Sequence, residues 1–285
     1  ADETADFSYK YSAGMKVYGS DVTIDVREGA TFASGLYVVT RQYGSVTGTA
    51  GVDIIFNGEI DQTANLSPTI IDGIKVIGKY GDTQVTTGSG DITLQSGTYS
   101  AGVSVKANYQ TSGDVTVSTG AGNITGGGIG IDARGNNDIT ITTQSGLVSG
   151  SDLGIIASNK YQGQGQGTVK VTTGSGDILG DSFGILAVSG DGDIEITTGT
   201  GTIGTRSDDQ NVRGTDTGIG AFSRSYGAAD ATTTINIGTG TVNGSSAVLS
   251  YGANSTVTVS GDLFVNASTF SYSMGIATSA VGSIR

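Results

Sequence analysis

Histidine and cysteine are both missing from this 285-residue chain. No Ser–His or Cys–His nucleophile pair can therefore be built, and no imidazole or thiolate metal site. Carboxylates remain for acid–base or cation chemistry, with Ser, Thr, Tyr, Lys and Arg in support. They fall into three groups. Asp21, Asp53, Asp82, Asp114, Asp138 and Asp193 read as corner residues before strands, where an Asp ordinarily serves the turn by bonding its own backbone. Asp132 and Arg134 share one side of the run Ile131-Asp132-Ala133-Arg134, with nothing acidic expected above them, so that pair does not make a carboxylate dyad. Asp208, Asp209 and Asp216 crowd one polar stretch. Such a trio has the ligand type for a hard cation, but a solvated acidic loop is the better reading. Gly127-Gly128-Ile129-Gly130-Ile131-Asp132 is a single, unrepeated match to the Gly-Gly-x-Gly-x-Asp unit of calcium-binding β-rolls. No catalytic residue, metal or cofactor is assigned, and the chain reads as non-enzymatic.

The elements that must position these residues are repetitive. An alternating run, then Thr-Gly-x-Gly, then another apolar residue recurs at Gln84–Ile92, Val115–Ile124, Val169–Ile178 and Ile194–Ile203, and in weaker form at Ile235–Val242. Anchors at Val26, Phe56, Val85, Val117, Ile141, Val171, Ile196, Ile237 and Val259 mark about nine units. A unit of this length holds three short strands and three turns, one coil of a solenoid. The first strand alternates, as in Ile139-Thr140-Ile141-Thr142, with the isoleucines inward. The second is short: Ile92, Ile124, Ile178 or Ile203. The third carries a Gly-apolar signature, as in Gly130-Ile131, Gly154-Ile155 and Gly184-Ile185. The predicted fold is all-β: a single right-handed parallel β-helix over 21–285, preceded by an N-terminal cap or extended segment at 1–20. Gly is expected to supply positive φ and close approach at the corners. The single proline, Pro68, fits a fold in which a proline removes a ladder donor. The outward threonines Thr86, Thr116, Thr140, Thr172, Thr197 and Thr234 read as one ladder, for which β propensity is sufficient cause.

The formal net charge is −12, which argues against nucleic acid or an anionic membrane as partner. No run reaches the length of a transmembrane helix. The acidic, polar start Ala1-Asp2-Glu3-Thr4 is not a signal peptide, so a mature or excised form is expected. A chain without cysteine is compatible with export.

The repeat is interrupted at three places: 61–68 and 205–217 between second and third strands, and 158–167 between a third strand and the next coil. Insertions in solenoids often decorate the binding side. Tyr161, Asp208, Asp209 and Arg213 are the candidate binding residues on that ground.

Coils such as Gly-Asp-Val-Thr-Val-Ser-Thr-Gly-Ala-Gly-Asn-Ile (113–124), followed by Gly-Ile-Gly-Ile-Asp-Ala-Arg (128–134), resemble the passenger domains of Gram-negative autotransporters over roughly 20–280. The resemblance implies type V secretion through a C-terminal β-barrel translocator not contained in this chain. It also implies a place on the bacterial surface or outside the cell, and a virulence role as adhesin or effector that binds a host receptor, a cell-surface glycan or a protein, as a monomer. Protease passengers of that family carry Gly-Asp-Ser-Gly with His and Asp, a set this chain lacks. A polysaccharide-degrading β-helix enzyme and a pure structural spacer are the alternative readings.

Overall fold

The computed structural model describes residues 10–11, 14–40, 51–63, 72–95, 99–107, 112–159, 167–204, 217–223, 231–251, 254–265, 274–278 and 283–284. Every strand pairs in parallel with the strands three before and three after it in the chain, which gives three sheets of 10 strands each. That is a parallel β-helix. The nine anchors all lie on successive strands of the first sheet, from Val22–Val26 to Asn254–Val259, and Ser283–Ile284 adds a tenth. The ladders reach into the first twenty residues: Lys10–Tyr11 opens the second sheet and Met15–Gly19 the third. At about 4.8 Å per coil the stack is on the order of 45 Å long.

Alternation places one apolar set inside, and parallel register stacks like on like. The first sheet contributes the column Ile54–Val85–Val117–Ile141–Val171–Ile196–Ile235. The second contributes Phe32–Ile60–Ile92–Ile124–Val148–Ile178–Ile203–Val242. The third contributes Ile74–Val103–Ile131–Ile155–Ile185–Ile219–Val248. All of these side chains are essentially inaccessible to water, and burying an Ile or Val in such a column is worth about 1.5–3 kcal/mol.

The Thr-Gly-x-Gly phrase is the corner from first to second sheet. Its second glycine stacks through eight coils as Gly58, Gly90, Gly122, Gly146, Gly176, Gly201, Gly240 and Gly261, and a Cβ on each from Gly90 upward would collide with the carbonyl oxygen of the glycine one coil below. Close approach therefore selects glycine here. Positive φ does not: among the described residues it occurs at Gly29, Gly81 and Gly204, which corrects the expectation that these corners need left-handed backbone. The phrase's threonine points inward, and Thr87, Thr119, Thr143, Thr173 and Thr198 are buried in one column. The outward threonines expected as one ladder are two: Thr116, Thr140 and Thr234 stand in one column, and Thr86, Thr172 and Thr197 in its neighbour.

Candidate functional site

Polar side chains at the corners hold coil to coil. Asp82 Oδ1 accepts the Asp114 N–H at 3.0 Å, Asp114 Oδ1 accepts the Asp138 N–H at 3.3 Å, and Asp138 Oδ1 accepts the Thr168 N–H at 2.7 Å. Asp21 does the same for Gly51 at 3.3 Å and Asp193 for Thr232 at 2.7 Å. A second column runs beside the glycine corner, where Asp91 takes the Asn123 N–H, Asn123 takes the Leu147 N–H, and Asp177 takes the Thr202 N–H. These aspartates thus bond the next coil's backbone, where a bond to their own turn was expected. Asp53 is no corner residue; it lies within Val52–Phe56, exposed on the outer face of the first sheet. Stacking has an electrostatic consequence. Partial burial raises Asp114 above the ordinary carboxylate value; its bond to the Asp138 N–H opposes this, and the facing carboxylates of Asp138 and Asp82 add to the rise. Among the described residues no group of three or more Asp or Glu is placed to hold a metal ion.

The three outer faces differ in chemistry. The first sheet presents mainly threonine, as at Thr116, Thr140, Thr142, Thr172 and Thr197, with Asp53 and the exposed Ile55 on an early coil and, among the described residues, one cross-strand ion pair, Lys170–Glu195 at 2.9 Å. The second presents Glu59, Asp61, Thr93 and Thr125. The third is unlike both. One of its outer columns reads Lys16–Tyr37–Lys75–Ser104–Asp132–Ile156–Leu186–Gly220–Leu249, and the other Tyr18–Val39–Ile77–Lys106–Arg134–Ser158–Val188–Phe222–Tyr251. Its first half is cationic and aromatic, and its second half is apolar.

Asp132 and Arg134 face out together, as expected, with Ile156 and Leu186 on the coils above. Yet Asp132 is only 4% exposed. A carboxylate so placed needs partners, and two cations supply them: Arg134 Nε at 2.6 Å on Oδ1 and Lys106 Nζ at 3.6 Å on Oδ2. Two coils before Asp132, Lys75 Nζ meets Asp72 Oδ2 at 2.7 Å, while Asp72 Oδ1 accepts the Ala101 N–H at 2.8 Å. Higher up, Phe183 and Phe222 meet edge to face at 6.4 Å, and both rings lie over Gly220, where a Cβ would strike them. Near the first coils Tyr18 and Tyr37 make the same kind of contact at 6.1 Å.

Chain length frames this face. Between the first and second sheets no connection is longer than 119–123, 143–147 or 173–177. All the long ones border the third sheet: 62–73, 205–216 and 266–273 enter it, and 41–51, 159–168 and 224–231 leave it. The insertions at 61–68, 158–167 and 205–217 are among them, at the corners expected. Tyr161, Asp208, Asp209 and Arg213 lie outside the described residues, as do residues 1–9 and 12–13 of the segment 1–20 expected as a cap or extended segment. The third sheet's outer face was missed by sequence reasoning. Its signal was present as the outward residues of each Gly-apolar strand, which become a surface only once the register of the coils is known.

No family model, no curated protein and no solved structure matches this chain.

Proposed function

We propose that the chain is an exported, non-enzymatic passenger rod of the autotransporter type that binds cell-surface molecules, acting as an adhesin or effector on the bacterial surface or after release. The single observation that carries this reading is the contrast of the outer faces: threonine on the first sheet, cations, tyrosines and apolar side chains on the third. A spacer has no use for such a face, since apolar and aromatic side chains gathered on one surface mark an interaction site. The long connections bordering that face agree with it, because solenoid insertions cluster on the binding side. In this reading the partner is a host receptor or a surface glycan, the rod acts as a monomer, and a C-terminal barrel delivers it.

The test is adhesion of the purified rod to cultured cells. Val188→Glu combined with Tyr251→Ser, both on the third sheet, is expected to reduce adhesion at least tenfold. Thr116→Glu combined with Thr140→Glu, the matched change on the first sheet, is expected to leave it unchanged. Equal losses from both pairs, with both proteins folded, would contradict the reading.

A further inference from the structure

Resting on that reading, we propose that the first half of the third sheet's outer face binds a linear acidic glycan laid along the rod axis. The chain as a whole is strongly acidic, at −12, yet among the described residues Lys16, Lys75, Lys106 and Arg134 stand here against only Asp72 and Asp132. The cations are spread along the stack one to two coils apart, and one coil rises about 4.8 Å, close to the length of one sugar unit in an extended glycan. Their order is built in. Asp132, buried, holds the Lys106 and Arg134 heads side by side, and Asp72 holds Lys75. Each of these three side chains keeps donors beyond those given to its aspartate. Arg134 uses its Nε on Asp132, which leaves its terminal nitrogens for a carboxylate or sulfate. Tyr18 is 44% exposed and stands edge to face with Tyr37. That places aromatic surface beside the cations, the pairing that takes a sugar's C–H face and its charge together. The ligand chemistry is a carboxylated or sulfated polysaccharide. A neutral glycan leaves the cations without work.

The experiment measures binding of the whole chain to immobilised hyaluronan, dextran sulfate and unmodified dextran, which separates carboxylate, sulfate and neutral sugar. One or both acidic polymers are expected to bind, dextran is not, and raising salt from low to physiological concentration is expected to weaken binding about tenfold or more. Lys106→Ala with Arg134→Ala should weaken it at least tenfold, and Lys170→Ala on the first sheet should not. Lys16→Glu, at an exposed position, should weaken it several-fold and keeps the test valid if the double variant fails to fold. Binding that ignores these third-sheet changes, or no binding to either acidic polymer, overturns the proposal. Cell adhesion that still depends on Val188 and Tyr251 would in that case leave the broader reading standing.

Discussion

At the corner from first to second sheet, the connection stays between two and five residues on every coil; at the two corners bordering the third sheet, it ranges from one residue to twelve. The first kind of corner is fixed by a steric condition. Gly122 sits against the Gly90 carbonyl, Gly146 against Gly122 and Gly176 against Gly146, so each coil constrains the next. At the corner entering the third sheet a second glycine column is packed in the same way, Gly102 against the Gly130 carbonyl, Gly130 against Gly154 and Gly154 against Gly184, yet segments as long as 205–216 are inserted beside it. Stacked glycines thus hold the coils in register at more than one corner, while long insertions gather only at the corners flanking the third sheet, whose outer face is open to selection for binding.

The contrast can be broken most severely at the glycine column. Gly176→Val pushes a side chain into the Gly146 carbonyl and should cost on the order of 3 kcal/mol, read as the midpoint of thermal or denaturant unfolding. A smaller effect is expected from stranding the buried carboxylate. Lys106→Met with Arg134→Met leaves Asp132 without its cations, a loss of about 2–3 kcal/mol; both side chains are partly exposed, which keeps it below the cost at a fully buried pair.

The aspartate column allows a finer test. Asp114→Ala removes the acceptor of the Asp138 N–H and should cost about 1 kcal/mol. Asp114→Asn keeps an acceptor and removes a charge, as Asn123 already does for Leu147. The folded chain holds the Asp114 proton more tightly than the unfolded chain, because its pKa is raised. This group therefore makes the fold more stable as pH falls from above the raised value toward the ordinary carboxylate range. Asn at this position should flatten that part of the stability–pH profile and raise stability at neutral pH by less than about 0.5 kcal/mol, since the site is largely solvated. Smallest of all is the change at a bordering corner: replacing 160–166 with a short Gly-Ser link should shift stability by under about 0.5 kcal/mol.

The repeat was legible because stacking writes itself into sequence. Ile139 and Ile141 alternate with Thr140 and Thr142, the glycine pair recurs, and each anchor lands on its strand. The corner aspartates were visible as a pattern, but their partners were not, because Asp114 bonds a backbone group 24 residues away. Lys16, Lys75, Lys106 and Arg134 are dispersed in sequence and meet only through the pairing of the first five third-sheet strands. A surface of this kind is a property of register, and a register is not contained in any one coil.

The absence of cysteine makes the central claim directly testable. Ser158→Cys on the third sheet, Thr140→Cys on the first and Thr125→Cys on the second each give a single thiol for coupling to maleimide–polyethylene glycol, and adhesion of the labelled rods to cells can be compared with that of the unlabelled ones. The polymer at position 158 should abolish adhesion while the polymer at 140 or 125 leaves it intact. Full adhesion with the third sheet's outer face shielded would contradict the account.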